Sequence, residues 1–300
     1  MANSPGRAAG RLSRMRGSRP PPARCVLDES QELSVWRLKI NIAPEAITQT
    51  KSPVTKPKFI PKKEDIDFLV EPQIRRSCGP LFFSTSLESA LGNIKANGSF
   101  GLVDTGTKKL LVTCNHVWRE FHNLKKAHAD LNLCACLDMK NPVVLNFNKP
   151  ISQNERLDLA VFDMEAFLPA CIGRVFYRLK YLDFPKIRVG SPIAFVGYPG
   201  MYRSEQECGI TFGRTAHAAF VGDVNESTGV ADVSRMMDSN RQFNRRPGQE
   251  NPYGGISGCP CYLIRKSYQA ELAGFVTEEG MDLLRFTLAN CINPDGTINC

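Results

Sequence analysis

From about residue 80 onward the chain consists of short apolar runs separated by Gly, Pro, Asn and Asp, and this pattern constrains the fold most. Short apolar runs bounded by turn residues predict β-strands, and no strand–helix alternation indicates a parallel sheet. The pattern therefore predicts an all-β sandwich or barrel, with a helix candidate at 121–131. The candidate strands are GSFGLV, KLLVTC, PVVLNF, LDLAVF, SPIAFVGY, GITFGRTA, PCYLIRK, ELAGFV and DLLRFTL.

The N-terminal quarter of the chain has a different composition from the rest. Residues 1–63 hold 13 Lys and Arg against four Asp and Glu, a net charge of +9. Because the whole chain carries +8, the remainder carries −1. We therefore expect a basic, largely disordered extension and linker over 1–75, followed by a near-neutral domain over 76–290. A neutral domain does not have the basic surface that nucleic-acid binding requires, so none is predicted for it.

The chain shows no clear targeting or membrane signal. No apolar run approaches the length of a spanning helix, so no membrane span is expected. The first 25 residues are rich in Arg, Pro and small residues, without the apolar core of a secretory signal. A disordered arm, a misassigned start codon and an organelle transit peptide all fit this composition. We expect a cytoplasmic protein, and the sequence leaves its oligomeric state open.

The eleven cysteines do not predict a disulfide scaffold, because their number is odd and no secretory signal accompanies them. The pairs Cys134-x-Cys136 and Cys259-x-Cys261 have too short a spacing for a zinc knuckle. With only four histidines in the chain, we expect neither a metal site nor a cofactor. Most cysteines are interpreted as small buried apolar residues in a reducing compartment. Cys114 and Cys259 are also candidates for a redox pair, because each lies two residues from a candidate catalytic residue.

Three distant segments carry residues suited to nucleophilic catalysis. GGISGCP, at 254–260, places Ser257 among glycines that let backbone N–H groups converge on one point. TCNHVW places His116 at the end of a buried strand, and RLDLAVFDM begins a strand with Asp158. The gaps of 42 and 99 residues require a fold that closes long-range contacts. In such a group the serine attacks, the histidine takes its proton and the aspartate orients the imidazole.

Each candidate also has a structural interpretation. Ser257 fits a plain Gly-rich turn, His116 fits a hydrogen-bonded strand end, and Asp158 fits an ordinary strand start. The remaining histidines are interpreted as structural, and three other aspartates compete for the role of Asp158. These residues are His122, His128, His217, Asp138, Asp163 and Asp183.

Taken together, these segments resemble the trypsin-like (chymotrypsin-fold) serine peptidases. The resemblance covers about residues 80–290, or roughly two thirds of the chain. It implies two six-stranded antiparallel β-barrels, at about 80–170 and 186–290, with the active site in the cleft between them. It rests on NGSFGLVDTGTKKLLVTCNHV, DLAVF, VGYPG, GITFGRTA, GGISGCPCYLI and LAGFV.

The resemblance implies a serine endopeptidase that cleaves protein or peptide substrates through an acyl-enzyme intermediate and needs no cofactor. It assigns nucleophile, base and orienting acid to Ser257, His116 and Asp158. It also implies an oxyanion hole made by the backbone N–H groups of Gly255 and Ser257. The alternatives are a catalytically silent module of the same fold that binds peptides or proteins, and an esterase-like hydrolase with the same triad.

The sequence departs from the family's serine turn at two positions. Ile256 stands where the family commonly has Asp or Asn, and Cys259 replaces a usual small residue. An apolar Ile256 removes a side chain that often helps to position this loop. The resemblance also places Asn251 at the base of the specificity pocket, where a neutral side chain would not select Arg or Lys. A shift of one residue would put Glu250 there instead.

Overall fold

The structure, a computed structural model, describes residues 59–85, 94–138, 142–181, 184–200, 203–206, 209–212, 214–232, 254–280 and 283–299. Contacts divide the chain into two segments, Met1–Ser52 and Pro53–Cys300, and all described residues belong to the second segment. The sequence expectations for residues 1–58 and for Asp183, Glu250 and Asn251 therefore lie outside the described residues. Within those residues, no helix is long and apolar enough to cross a membrane.

The first half of the described chain forms an eight-stranded, mainly antiparallel sheet. Its strand order is β5-β4-β1-β2-β3-β7-β6, and the short β8 pairs with β2 in parallel. The strands are β1 Cys78–Ser84, β2 Ile94–Asp104, β3 Lys109–Thr113, β4 Asn132–Cys136, β5 Pro142–Val144, β6 Ser152–Asn154, β7 Leu159–Asp163 and β8 Tyr177–Arg178.

The second half forms a closed six-stranded antiparallel barrel, in the order β12-β13-β16-β15-β14-β9. A separate hairpin, β10-β11, precedes β12 in the chain. Strand β9 pairs with β12 on one side and with β14 on the other, and this closes the barrel so that it has no unpaired edge strand. The strands are β9 Pro192–Gly197, β10 Arg203–Gln206, β11 Gly209–Phe212, β12 Thr215–Val224, β13 Thr228–Asp232, β14 Pro260–Ile264, β15 Ala270–Gly280 and β16 Leu283–Leu288.

The fold class predicted from the sequence is confirmed: the protein is all-β, with the trypsin-like division into two β units. All nine candidate strands overlap strands of the structure. The first unit differs in detail from the six-stranded barrel that the resemblance implied. It has eight strands, and its edge strands β5 and β6 do not pair with each other in the described part of the chain.

The helices are short, with one exception. The helix predicted at 121–131 instead spans Asn115–Ala127, so it begins immediately after β3 and includes His116. Its Trp118 and Phe121 are buried against the first sheet, while Lys125 and Lys126 face solvent near its end. The helices are α1 Lys63–Asp65, α2 Glu71–Ile74 and α3 Asn115–Ala127, with a π-helical turn at Ile66–Val70 and 3₁₀ turns at Arg75–Ser77, Glu165–Ala170 and Ala289–Cys291.

The three largest buried clusters lie within and between the two β units. One lies within the first sheet and includes Trp118 and Phe162, and one lies within the barrel and includes Phe195 and Phe286. The third joins the units, because it combines β3 and β7 side chains with those of β9, β14 and β15. The buried face between the units is apolar and continuous, so burial of this area favours one fixed arrangement of the halves.

Described residues on both sides of the 76–290 range pack with residues inside it. Ile66, Val70 and Ile74 on the helical turns before residue 76 are buried in the cluster between the units. Ile292, beyond residue 290, belongs to the same cluster. Part of the segment that composition assigned to a largely disordered extension is therefore packed against the barrel. The domain boundaries themselves stay predictions.

Arg174 links the segment between the two units to the first sheet. It is 9% exposed, and its guanidinium donates hydrogen bonds to the carbonyl oxygens of Cys78, Cys136 and Leu137. Those carbonyls belong to β1, β4 and the chain just after β4. The guanidinium also lies over the Phe100 ring, 5.9 Å from its centroid. A single side chain thus satisfies three backbone acceptors at close range, and a longer hydrogen bond of 3.5 Å reaches a fourth, Arg75 O.

Replacing Arg174 with Met is expected to lower the free energy of unfolding by about 3 kcal/mol or more, because three carbonyls then lose their donor. Urea denaturation of the full chain would measure this. The matched control is Arg76→Met, which removes an exposed arginine with one hydrogen bond, to Gly173 O. Equal losses for the two variants would contradict the role given to Arg174.

Candidate active site

Asp158 holds His116 by two contacts at the start of α3. Its Oδ2 lies 2.6 Å from His116 Nδ1, and its Oδ1 accepts a hydrogen bond of 2.8 Å from the His116 backbone N–H. The first N–H groups of a helix have no partner within the helix and carry a partial positive charge. The Asp158 carboxylate therefore caps α3 and orients the imidazole with the same two oxygens.

The backbone at Asp158 is in the left-handed region, with φ at 50°. Asp adopts this conformation more readily than most residues, but it places the residue outside the strand. Strand β7 accordingly begins at Leu159, one residue later than the alternation predicted. Asp158 O also accepts the backbone N–H of Asn115 at 3.1 Å, so main-chain and side-chain bonds together fix this turn against α3.

The loop that carries Ser257 is braced by the first β unit. The Ser99 backbone N–H donates to Ser257 O at 2.8 Å, and Ser99 Oγ donates to Gly255 O at 2.8 Å. Thr113 Oγ1 in turn donates to Ser99 O at 2.8 Å. Ser99 and Thr113 are both buried, on β2 and β3. The position of the serine is thus set by strands that belong to the half carrying His116.

Two positions of the loop require glycine. Gly258 has φ at +90°, and a Cβ there would lie 2.3 Å from Ser99 O. Gly255 has φ at +102°, and a Cβ there would lie 2.3 Å from Asn97 Nδ2 and 2.9 Å from Gly200 N. Since L side chains disfavour these angles and backbone atoms fill the space, no larger residue fits either position without displacing the loop.

The two peptide groups predicted to form an oxyanion hole are fixed through their carbonyls. Gly254 O accepts the Gly200 N–H at 2.6 Å, and Ile256 O accepts the Cys259 N–H at 2.8 Å. In a planar trans peptide the N–H points away from the C=O, so these bonds also set the directions of the Gly255 and Ser257 N–H groups. No residue in the described ranges accepts a hydrogen bond from either N–H.

His116, Asp158 and Ser257 line one cavity of about 370 Å³. The first unit contributes His116 and the turn before β7, and the barrel contributes Ser257, Thr277 and the β15–β16 side. Ser257 and His116 are both described residues, and no hydrogen bond joins Ser257 Oγ to the His116 ring. Catalytic hydrogen bonds are often long or absent in sites without substrate. The cavity rim is charged, with Glu278 3.6 Å from Arg285.

The competing residues lie elsewhere. Asp163 pairs with Lys108 at 2.5 Å, and Asp138 lies near Cys136. The ring of His122 packs against Trp118, that of His217 packs against Phe195, and His128 ends α3. None of these side chains lines the cavity. The specificity prediction at Asn251, with Glu250 beside it, falls outside the described residues.

Ile256 positions the serine loop by packing. Its side chain is 1% exposed and belongs to the apolar cluster of the barrel. A Cβ on Gly197 would lie 2.8 Å from Ile256 Cγ2, so strand β9 leaves room for this side chain. Cys259 is buried in the same cluster. The two departures from the family's serine turn are therefore apolar anchors of the loop.

Replacing Ile256 with Ala is expected to lower the free energy of unfolding by about 2–5 kcal/mol, because the change opens a cavity under the loop. The measurement is the midpoint of denaturant unfolding at constant m-value. Ile172→Ala is the control, since Ile172 is 71% exposed and its loss should change stability by no more than about 0.5 kcal/mol. Similar effects of both changes would show that Ile256 does not anchor the loop.

Sequence reasoning missed Ser99 and Thr113, which hold the serine loop in place. One signal was present: both are hydroxyl residues at buried positions of apolar strands. Buried hydroxyls need hydrogen-bond partners, so such positions indicate a polar contact with another element. The sequence does not show which element, because the partner loop is more than 140 residues away.

Comparisons with known proteins found a likeness to solved structures, at low identity and low TM-score. No protein-family model and no curated protein sequence matches this chain. One similar solved structure is the HtrA-type protease AlgW with tripeptide, with 14% identity and a TM-score of 0.44 over 73% of this chain. Another is the thermostable serine protease AL20 from an extremophilic microorganism, with 13% identity and a TM-score of 0.42 over 71% of this chain.

The match spans 58% of the AlgW chain and 91% of the AL20 chain. Identities and TM-scores this low carry no argument about the site or the activity of this protein. The fold assignment rests on the strand order and the closed barrel.

Proposed function

We propose that this protein is a serine endopeptidase that hydrolyses peptide bonds through Ser257, His116 and Asp158. The observation that carries the proposal is that Asp158 contacts both the backbone N–H and the ring Nδ1 of His116, beside a cavity that Ser257 also lines. A carboxylate on Nδ1 keeps the proton there and leaves Nε2 as a base. This arrangement is the one that activation of a serine hydroxyl needs.

In the proposed reaction, Ser257 Oγ attacks the substrate carbonyl while its proton passes to His116 Nε2. The imidazolium is stabilised by Asp158 and then gives the proton to the leaving amine, so the peptide C–N bond breaks and an ester to Ser257 forms. Water then attacks the ester while His116 Nε2 takes its proton. Nε2 returns that proton to Ser257 Oγ as the ester C–O bond breaks, so the acid product leaves and Ser257 is restored.

The developing oxyanion would be bound by the N–H groups of Gly255 and Ser257. Their orientation is fixed before substrate arrives, because Gly200 and Cys259 hold the adjoining carbonyls. Donors that need no rearrangement during the reaction stabilise the transition state more than the ground state. The open, two-sided cavity supports a peptide or protein chain as substrate.

A fluorophosphonate probe with mass-spectrometric mapping tests this proposal. We expect the probe to label Ser257, since an activated hydroxyl displaces its fluoride, and we expect Ser257→Ala and His116→Ala to abolish labelling. Ser267→Ala is the matched control, because Ser267 is an exposed serine in the β14–β15 turn and its loss should leave labelling unchanged. Labelling that survives Ser257→Ala would refute the assignment.

The second candidate function is a catalytically silent module that binds peptides in the same cavity. The observation that favours it is the missing hydrogen bond between the described residues Ser257 and His116. A folded protein that never reacts with the probe, yet binds peptides at the cavity, would support this candidate over the peptidase. An esterase-like hydrolase would label at Ser257 and cleave esters, but would leave peptide bonds intact.

A further inference from the structure

A buried thiol lies beside the proposed catalytic pair and has no role in the proposed mechanism. Cys114 precedes α3 and is fully buried, and its Sγ donates to Val276 O at 3.2 Å. Ligand atoms of Cys114, His116 and Asp158 all lie within 4.8 Å of one another. Sulfur, nitrogen and oxygen donors thus lie close together, and two of the three residues, His116 and Asp158, line the cavity.

These three donor types are the ones that zinc takes from proteins. Zinc binds a thiolate at about 2.3 Å and an imidazole or carboxylate at about 2.0–2.2 Å, in tetrahedral geometry. Such a site separates its ligand atoms by about 3.5 Å. The group in the structure therefore needs shifts on the order of 1 Å, which side-chain rotation supplies. Three protein ligands leave one position for water, as in other open zinc sites.

We propose that Cys114, His116 and Asp158 form a zinc site whose occupation blocks the proposed catalytic centre. The Cys114 thiol loses its proton to solvent when the metal binds, and the imidazole keeps one proton, which moves from Nδ1 to Nε2. The metal then bonds Sγ, Nδ1 and an Asp158 oxygen. It replaces the proton that His116 and Asp158 otherwise share.

The local charge favours a cation. The Asp158 carboxylate and a Cys114 thiolate together supply two negative charges, which a divalent cation neutralises. The side chains of His116 and Asp158 are 48% and 25% exposed, so solvent reaches two of the three ligand residues.

No metal motif is visible in the sequence, because the three ligands come from two segments of the chain. Cys114 and His116 are two residues apart, and Asp158 follows 42 residues after His116. The αL turn at Asp158 brings its carboxylate to the start of α3. Spacing rules for zinc motifs describe ligands on one hairpin or helix, so they do not detect this arrangement.

Inhibition by zinc rests on the proposed peptidase function, but metal binding does not. With zinc on Nδ1, His116 Nε2 carries the remaining proton and has no lone pair to accept the Ser257 proton. Turnover would stop while substrate still binds. Removing zinc with a chelator would restore activity, because Cys114 regains its proton, the imidazole proton returns to Nδ1, and no bond between heavy atoms of the protein changes.

Titration of the full chain with Co²⁺, which takes the same ligands and is coloured, tests the site directly. We expect a sulfur-to-cobalt charge-transfer band that Zn²⁺ abolishes by displacement. Cys114→Ser should remove the band and weaken Zn²⁺ binding by at least about 100-fold, because one ligand is lost. The control is Cys134→Ser, a buried cysteine on β4 that does not line the cavity, and it should keep the band.

Two readouts separate this site from the proposed peptidase. A band that depends on Cys114 in a protein without peptidase activity supports the metal site and refutes the function. Peptidase activity with no band, or zinc inhibition unchanged in Cys114→Ser, overturns the metal site and leaves the function standing. If Cys114→Ser does not fold, His116→Ala replaces it, since it removes a half-exposed ligand and should also abolish the band.

Discussion

Ser257→Ala is expected to lower the turnover of a peptide substrate by about a million-fold, as the loss of a triad nucleophile generally does. Alanine removes the attacking oxygen and leaves the rest of the loop in place, because Ser99 contacts backbone atoms of Ser257 and Gly255. The substrate should therefore bind with nearly unchanged affinity. Single-turnover assays together with equilibrium binding of the same peptide would measure both quantities.

The size of the loss decides between interpretations. A residual rate above water is expected from the oxyanion donors and from substrate binding alone. Ser267→Ala, the exposed-serine control, should have full activity. A drop of only a few-fold in Ser257→Ala would mean that another group performs the attack, and the proposed mechanism would then be wrong.

Asp158→Asn is expected to lower turnover by about ten-thousand-fold with little loss of stability. The amide oxygen of Asn still accepts the His116 backbone N–H, so α3 keeps its cap. The amide NH₂ then faces Nδ1, which must become an acceptor, and the imidazole proton moves to Nε2. His116 in that tautomer cannot take the Ser257 proton. Steady-state kinetics and thermal unfolding of the same variant would show whether turnover falls while stability is kept.

Asp163→Asn is the matched control for this change. Asp163 ends β7, the strand that Asp158 precedes, but it pairs with Lys108 away from the cavity. Its side chain and that of Lys108 are 41% and 38% exposed, so the substitution should cost no more than about 1 kcal/mol and leave turnover intact. If the two variants lost activity equally, Asp158 would have no special role in holding the imidazole.

The nine apolar runs could be predicted as strands, and the candidate residues could be placed next to them, because apolar runs are local patterns. The apolar run before His116 and the alternation after Asp158 mark strands that end at the cavity. The start of α3 was not predictable, because its cap comes from Asp158 on another segment. The strands missed by the sequence include β6 and β8, which have three and two residues and too few positions for a periodic signal.

The role of Ile256 shows the limit of comparing single positions with a family. The comparison with the family predicts that an apolar Ile256 removes a polar side chain that often helps to position this loop. In the structure the same side chain is buried in the barrel cluster and fits against Gly197. Whether a loop residue is an anchor depends on the cavity that receives it, and that cavity is formed by strands distant in sequence.

The brace from Ser99 to the serine loop has a consequence for protein engineering. The GGISGCP segment takes its shape from β2 of the opposite half, which supplies one N–H and one hydroxyl to it. A transplant of this segment into another barrel would therefore carry Ser257 without the contacts that set the shape of its loop. A successful graft has to move the loop together with its partner strand, so the unit of exchange is a pair of elements and not a linear motif.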